Sequence, residues 1–240
     1  MEKQTLQNGL RIIYLPIEGA YSASVGIWVS AGSCHESIDQ QGISHFIEHM
    51  IFKGTTKRSA KDISEEMDLL GGGINAYTAK EYTRYYAQTL AENAVSAMDI
   101  LCDMLLNPLI DPDELERERG VILDEMAMYE DSGEDVAHEA LYASVWSNSP
   151  LGRPICGIKD TVSGFTSDNL REYIHGNYTP DRMVAVVAGS FDRPGMDRLI
   201  QNTLGTMKSG GGIHPLDNPE FTASLPLTKK RFEQTSLVLA

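Results

Sequence analysis

Apolar residues recur along this chain with two different periods, and the alternation between them predicts a mixed α/β domain. Leu6 to Leu15 is apolar around an Asn8-Gly9 dipeptide, a strong turn signal, so it predicts a β-hairpin. Ala23 to Ser30, rich in Ser, Val, Ile and Trp, predicts a strand. Beyond Gly42 the apolar residues Ile43, Phe46, Ile47, Met50, Ile51 and Phe52 predict an amphipathic, half-buried helix. A second helix is expected from about Lys61 to Leu70, broken by the glycines at 71–73. Asn75 to Thr78 and Tyr82 to Thr89 read as strands, with Tyr82, Tyr85 and Tyr86 as sheet packing. Ala94 to Leu106 reads as an apolar helix stopped near Pro108. Asp111 is an N-cap and Pro112 a first-turn residue for an acidic helix from Asp113 to Tyr129. Helices from Val136 to Trp146, Thr166 to Tyr173 and Pro194 to Leu204 follow, with a buried strand from Met183 to Ala188 between the last two. Ser209 to Pro226, with glycines at 210–212, is the linker candidate, and no strong internal repeat is visible.

The first helix carries polar residues where its apolar surroundings make them costly. His45 and His49 are four apart and share a face, and Glu48 lies on nearly the same face. The order is H-x-x-E-H, the reverse of the H-E-x-x-H zinc-protease motif. Zinc hydrolysis uses nitrogen ligands to hold the ion and a carboxylate to take a proton from water. Capping or surface salt bridges are the alternative use of such a trio. Burying it beside so much apolar surface favours pairing or metal binding. A third ligand is sought in the acidic helix. Glu118 and Glu125 are seven apart and share a face two turns apart. Glu114 and Glu116 read as solvated, whereas Glu125 lies near Val121, Ile122 and Met126 and is the preferred ligand.

Several segments carry a family resemblance. They are Gly42-Ile43-Ser44-His45-Phe46-Ile47-Glu48-His49-Met50-Ile51-Phe52-Lys53-Gly54-Thr55, Gly73-Ile74-Asn75-Ala76-Tyr77-Thr78 and Glu116 through Glu125. Pro150 through Ile155 and Asn177 through Asp181 add to them. In these the chain resembles the pitrilysin/insulinase zinc metallopeptidases, above all bacterial half-size members and the catalytic subunit of mitochondrial processing peptidase. The likeness runs from about Thr5 to about Gly189. It implies an α+β fold, a mostly antiparallel sheet packed with helices. It implies Zn2+ held by His45, His49 and Glu125, with Glu48 as general base acting on zinc-activated water. Glu118 would orient a ligand histidine, and Asn75 and Ala76 would pair with substrate backbone. The activity implied is that of a zinc endopeptidase acting on peptides or unfolded segments. The alternatives are a non-catalytic or partner-dependent subunit that binds zinc, and a structural zinc site in some other enzyme. A site with only His and Glu ligands argues for an open position rather than a closed structural site.

The likeness also implies a second, similar domain or subunit, and a dimer, because half-size members carry two domains facing each other across a cavity. Residues 1–220 are expected to form the catalytic domain, and 221–240 a linker with the first strand of the second. The family's glycine-rich substrate loop is not evident. The net charge of −14 makes nucleic acid a poor first partner and leaves room for attraction of basic peptides. No apolar stretch is long enough to span a membrane, so no membrane partner is expected. Three widely spaced cysteines, Cys34, Cys102 and Cys156, suggest free thiols. With no signal-like N-terminus, a bacterial cytoplasmic address is expected, with the mitochondrial matrix as the alternative.

Overall fold

The computed structural model describes residues 1–212, 220, 221, 223, 226, 232 and 234–238. Among the described residues six strands form one sheet: β1 (Glu2–Thr5), β2 (Arg11–Pro16), β3 (Ser22–Val29), β4 (Gly73–Thr78), β5 (Thr83–Leu90) and β6 (Met183–Gly189). Their order is β1-β2-β6-β3-β5-β4. Every neighbouring pair is antiparallel except β2 and β6, which run parallel. Around it are α1 (Ile43–Ile51), α2 (Ala60–Leu69), α3 (Ala94–Leu106), α4 (Pro112–Asp131), α5 (Gly133–Val145), α6 (Lys159–Gly164), α7 (Ser167–Asn177) and α8 (Arg193–Asn202). This is the expected α+β arrangement.

Alternation along the strands decides where the core lies. Ile12 and Tyr14 of β2, Val25 and Ile27 of β3, Tyr85 and Ala87 of β5, and Ala185 and Val187 of β6 are all buried. They join one cluster with Phe46 and Met50 of α1, Met98 and Leu101 of α3, Leu170 of α7 and Ile200 of α8. The intervening residues of these strands point to the opposite face and are half-buried or exposed in β2, β5 and β6. Among the described residues no helix is long and apolar enough to cross a membrane.

The first hairpin is shifted, and one helix was not anticipated. The first hairpin exists, but its leading strand is Glu2–Thr5, and Leu6 is spent on the turn. Leu6 N donates to Leu10 O at 2.8 Å and Gly9 N to Leu6 O at 3.0 Å, with Gly9 at φ 90°. The helix Lys159–Gly164 is a single short piece without a side-chain cap, so periodicity has little to register. The expected linker from Ser209 to Pro226 lies largely outside the described residues. In the tail expected as a strand, Gln234 to Val238 are described without strand pairing, and residues 239 and 240 lie outside.

Local chemistry holds α1 in place. The Glu36 carboxylate accepts from Gly42 N at 2.8 Å and Ser44 N at 2.9 Å, satisfying donors that the helix start leaves unpaired. Gly42 has φ 93°, and a Cβ there would lie 2.5 Å from Cys156 O, so only glycine fits. The turn after α1 is tied to α2 and α3 through Arg58. Its guanidinium donates to Glu66 at 2.9 Å, Asp99 at 2.8 Å and buried Asp103 at 2.9 Å. Asp103 also accepts from Thr55 Oγ1 at 2.7 Å and Asn107 Nδ2 at 2.8 Å. Arg58→Met is expected to lower stability by about 2–3 kcal/mol in urea unfolding, below the full cost of orphaning a buried charge because Thr55 and Asn107 remain. A loss under about 0.5 kcal/mol would show that the network is ornamental to stability.

Candidate metal centre

Helices α1 and α4 pack against each other, and the polar trio of α1 meets the Glu118–Glu125 face of α4. The spacing of His45 and His49 puts both imidazoles on one side, with ring centroids 4.8 Å apart. Glu125 Oε2 lies 3.6 Å from His45 Nε2 and 3.5 Å from His49 Nε2. One donor atom from each of the three residues falls within 4.8 Å of the others, and among the described residues this is the one group of its kind. Bonds of about 2.0–2.2 Å in a tetrahedral zinc site place neighbouring donors about 3.3–3.6 Å apart. The two His–Glu separations match that spacing and are long for a hydrogen bond, so the three side chains surround a point.

The surroundings set their charge states. Burial, followed by repulsion from His49, lowers the His45 pKa to about 4, which keeps its imidazole neutral and its lone pair available. The Glu125 pKa is lowered to about 2, first by the hydrogen bond with His49 and despite partial burial. Burial also pulls on His49, but hydrogen bonds with Glu125 and Glu118 outweigh it and raise its pKa. Two imidazoles and an ionised carboxylate suit a divalent cation of borderline softness, and a cation bound there would displace any proton on His49.

A further layer orients these groups. His49 Nδ1 lies 3.1 Å from Glu118 Oε2 and, as donor, leaves Nε2 facing Glu125. Lys53 Nζ lies 2.5 Å from the other oxygen of Glu118. Tyr129 OH donates to Glu125 Oε1 at 2.9 Å. Glu48 stands beside the trio, its pKa raised by burial, and Thr78 Oγ1 donates to its Oε2. His45, Glu48, Thr78 and Glu125 line one cavity of about 810 Å³, walled elsewhere by α5 and the segment 152–159.

The residues expected from sequence therefore divide. His45, Glu48, His49, Glu118 and Glu125 converge. Asn75 and Ala76 stand apart from the cavity lining, on β4 at the edge of the sheet, and the strand reaches the cavity at Tyr77 and Thr78. Lys53, Thr78, Tyr129 and Glu36 were not anticipated. Thr78 alone carried a signal, as the inward-facing end of a predicted strand.

Residues 11–159 match the family described as insulinase (peptidase family M16), and residues 164–240 match the peptidase M16 inactive domain. Over 239 residues the chain is 41% identical to the uncharacterized zinc protease YmxG of Bacillus subtilis, spanning 100% of this chain and 58% of that protein. Over 186 residues it is 42% identical to a probable mitochondrial-processing peptidase subunit beta of Arabidopsis thaliana, covering 78% of this chain and 35% of that one. The periplasmic protease PqqL of Escherichia coli superposes with a TM-score of 0.81 at 26% identity, over 91% of this chain and 25% of that chain. A protease from Helicobacter pylori has a TM-score of 0.82 at 22% identity, over 92% of this chain and 53% of that chain, a likeness of fold. This chain thus spans about half the length of the curated relatives it matches. On the match over residues 11–159, the chain belongs to the insulinase family of peptidases, family M16.

Proposed function

We propose that this chain is the catalytic half of a zinc endopeptidase, with zinc held by His45, His49 and Glu125 and with Glu48 as general base. The observation that carries the proposal is the convergence of His45, His49 and Glu125 on one point beside a second carboxylate, Glu48, whose pKa is raised by burial, with His45, Glu125 and Glu48 lining one cavity. Relatives named as zinc proteases support the choice of metal. Zinc bound there supplies Lewis acidity for attack of water on a peptide carbonyl.

The chain's own residues do the remaining work. Glu48 accepts the proton of the attacking water and later delivers it to the leaving amine. Its raised pKa makes it a better base than a solvated carboxylate. Glu118 holds the His49 ring in one tautomer and orientation, and Lys53 holds Glu118. The peptide lies as an added strand along β4, so Asn75 and Ala76 contribute main-chain hydrogen bonds rather than side-chain chemistry. Glu130, Asp135 and Glu139 line the same cavity, which favours basic side chains in the peptide. A second domain or subunit closing the cavity is part of the proposal, supported by relatives about twice as long.

The test uses the full-length protein with any partner it purifies with. Zinc is expected at one ion per site, with hydrolysis of an unstructured, basic, quenched fluorescent peptide. A chelator should abolish turnover and added zinc restore it. Stoichiometric zinc with no turnover of any unstructured peptide would replace the peptidase with a zinc-binding structural subunit.

A further inference from the structure

The cavity wall contains one polar contact that neither the ligand set nor the base explains. Strand β4 alternates, with Ile74, Ala76 and Thr78 facing inward and Gly73, Asn75 and Tyr77 facing out. Thr78 is buried, with 4% of its surface exposed. A buried hydroxyl is costly unless it is paired, and a valine would fill the same volume without that cost. The pairing chosen is specific: Thr78 Oγ1 donates to Glu48 Oε2 across from α1. Thr78 is the last residue of β4, in register with Thr83 of β5. Among the described residues β4 has no neighbouring strand on its other side, which is where an added strand would lie.

We infer that Thr78 is a positioning residue that couples occupancy of the β4 edge to the orientation of Glu48. This rests on the peptidase proposal above. Glutamate has three rotatable side-chain bonds, and freezing them costs entropy that a hydrogen bond must offset. Pinning Oε2 leaves Oε1 as the oxygen that accepts the proton. A peptide strand added to β4 fixes the position of that strand, and Thr78 passes the position on to the carboxylate. A substrate that fills the edge therefore also aligns the base, and a free edge leaves the base less constrained.

The experiment compares Thr78→Val and Thr78→Ser in the full-length, zinc-loaded protein. Valine keeps the volume and removes the donor; serine keeps the donor. For Thr78→Val, kcat should fall about 10- to 100-fold, the scale of a small misplacement of a catalytic group. KM should stay within about threefold, since the lost contact is not to substrate. Zinc content and melting midpoint should match wild type, and Thr78→Ser should retain most of kcat. A crystal structure of the zinc-bound valine variant should show the Glu48 carboxylate displaced or in several rotamers. The inference is overturned by a valine kcat within about twofold of wild type, by a serine variant as impaired as valine, or by an unmoved Glu48. A wild-type protein that cleaves nothing would sink the peptidase proposal instead, and the position of Glu48 in the valine variant would still decide the role of Thr78.

Discussion

Glu48→Gln is expected to lower kcat by about 100- to 10,000-fold while zinc remains bound, the range that removal of a positioned general base costs. The substitution is close to isosteric. It retains a carbonyl oxygen to accept the Thr78 hydroxyl, so the local geometry survives. What disappears is the oxygen that can hold a proton. Glu48 is not in the donor group formed by His45, His49 and Glu125, so metal content should equal that of wild type. The measurement pairs elemental analysis with peptide turnover. Turnover within about tenfold of wild type would remove Glu48 from the base role, because a lost base costs more than that.

Glu125→Ala is expected to act on the opposite property. The carboxylate supplies the one charged donor of the trio and faces both histidines at 3.5–3.6 Å. Its loss leaves two imidazoles, too few to hold zinc against a competing chelator. Zinc affinity should fall by more than the roughly 10–100-fold that loss of an outer carboxylate costs. Glu118→Gln provides that comparison, since Glu118 touches His49 Nδ1 and Lys53 rather than the central point. Alanine is a strong helix former, and Glu125 lies in the interior of α4, so the fold should persist. Competition titration with a chromophoric chelator ranks the three proteins. A Glu125→Ala protein that binds zinc as tightly as wild type would require another third ligand.

Legibility followed interaction range. The polar trio could be seen because a helix repeats within four residues, and an apolar stripe marks which face is buried. Glu118 and Glu125 were separable from Glu114 and Glu116 by the same periodicity. The acidic helix announced its own start through Asp111, whose side chain accepts from Asp113 N at 2.9 Å and Glu114 N at 3.1 Å. The apolar neighbours Val121, Ile122 and Met126 then favoured Glu125 as ligand, and the family resemblance pointed to the same residue. Lys53 could not be found this way. It follows the motif by four residues, yet its partner Glu118 lies on another helix. Glu36 reads as an ordinary loop acid until its carboxylate meets two amides of the α1 start.

By itself, then, the sequence determined the strands other than β1, most of the helices, the family likeness and the donors carried on α1. These rest on local periodicity and on short-range caps, which a chain expresses before any tertiary contact forms. Tertiary structure decided the rest: the parallel β2–β6 pair, the approach of Glu125 to both histidines, the charge states of the trio, and the bond from Thr78 to Glu48. Each of these depends on groups far apart in sequence meeting in a low-dielectric interior. There, burial and neighbouring charge, rather than residue type, set whether an imidazole is neutral or a carboxylate basic.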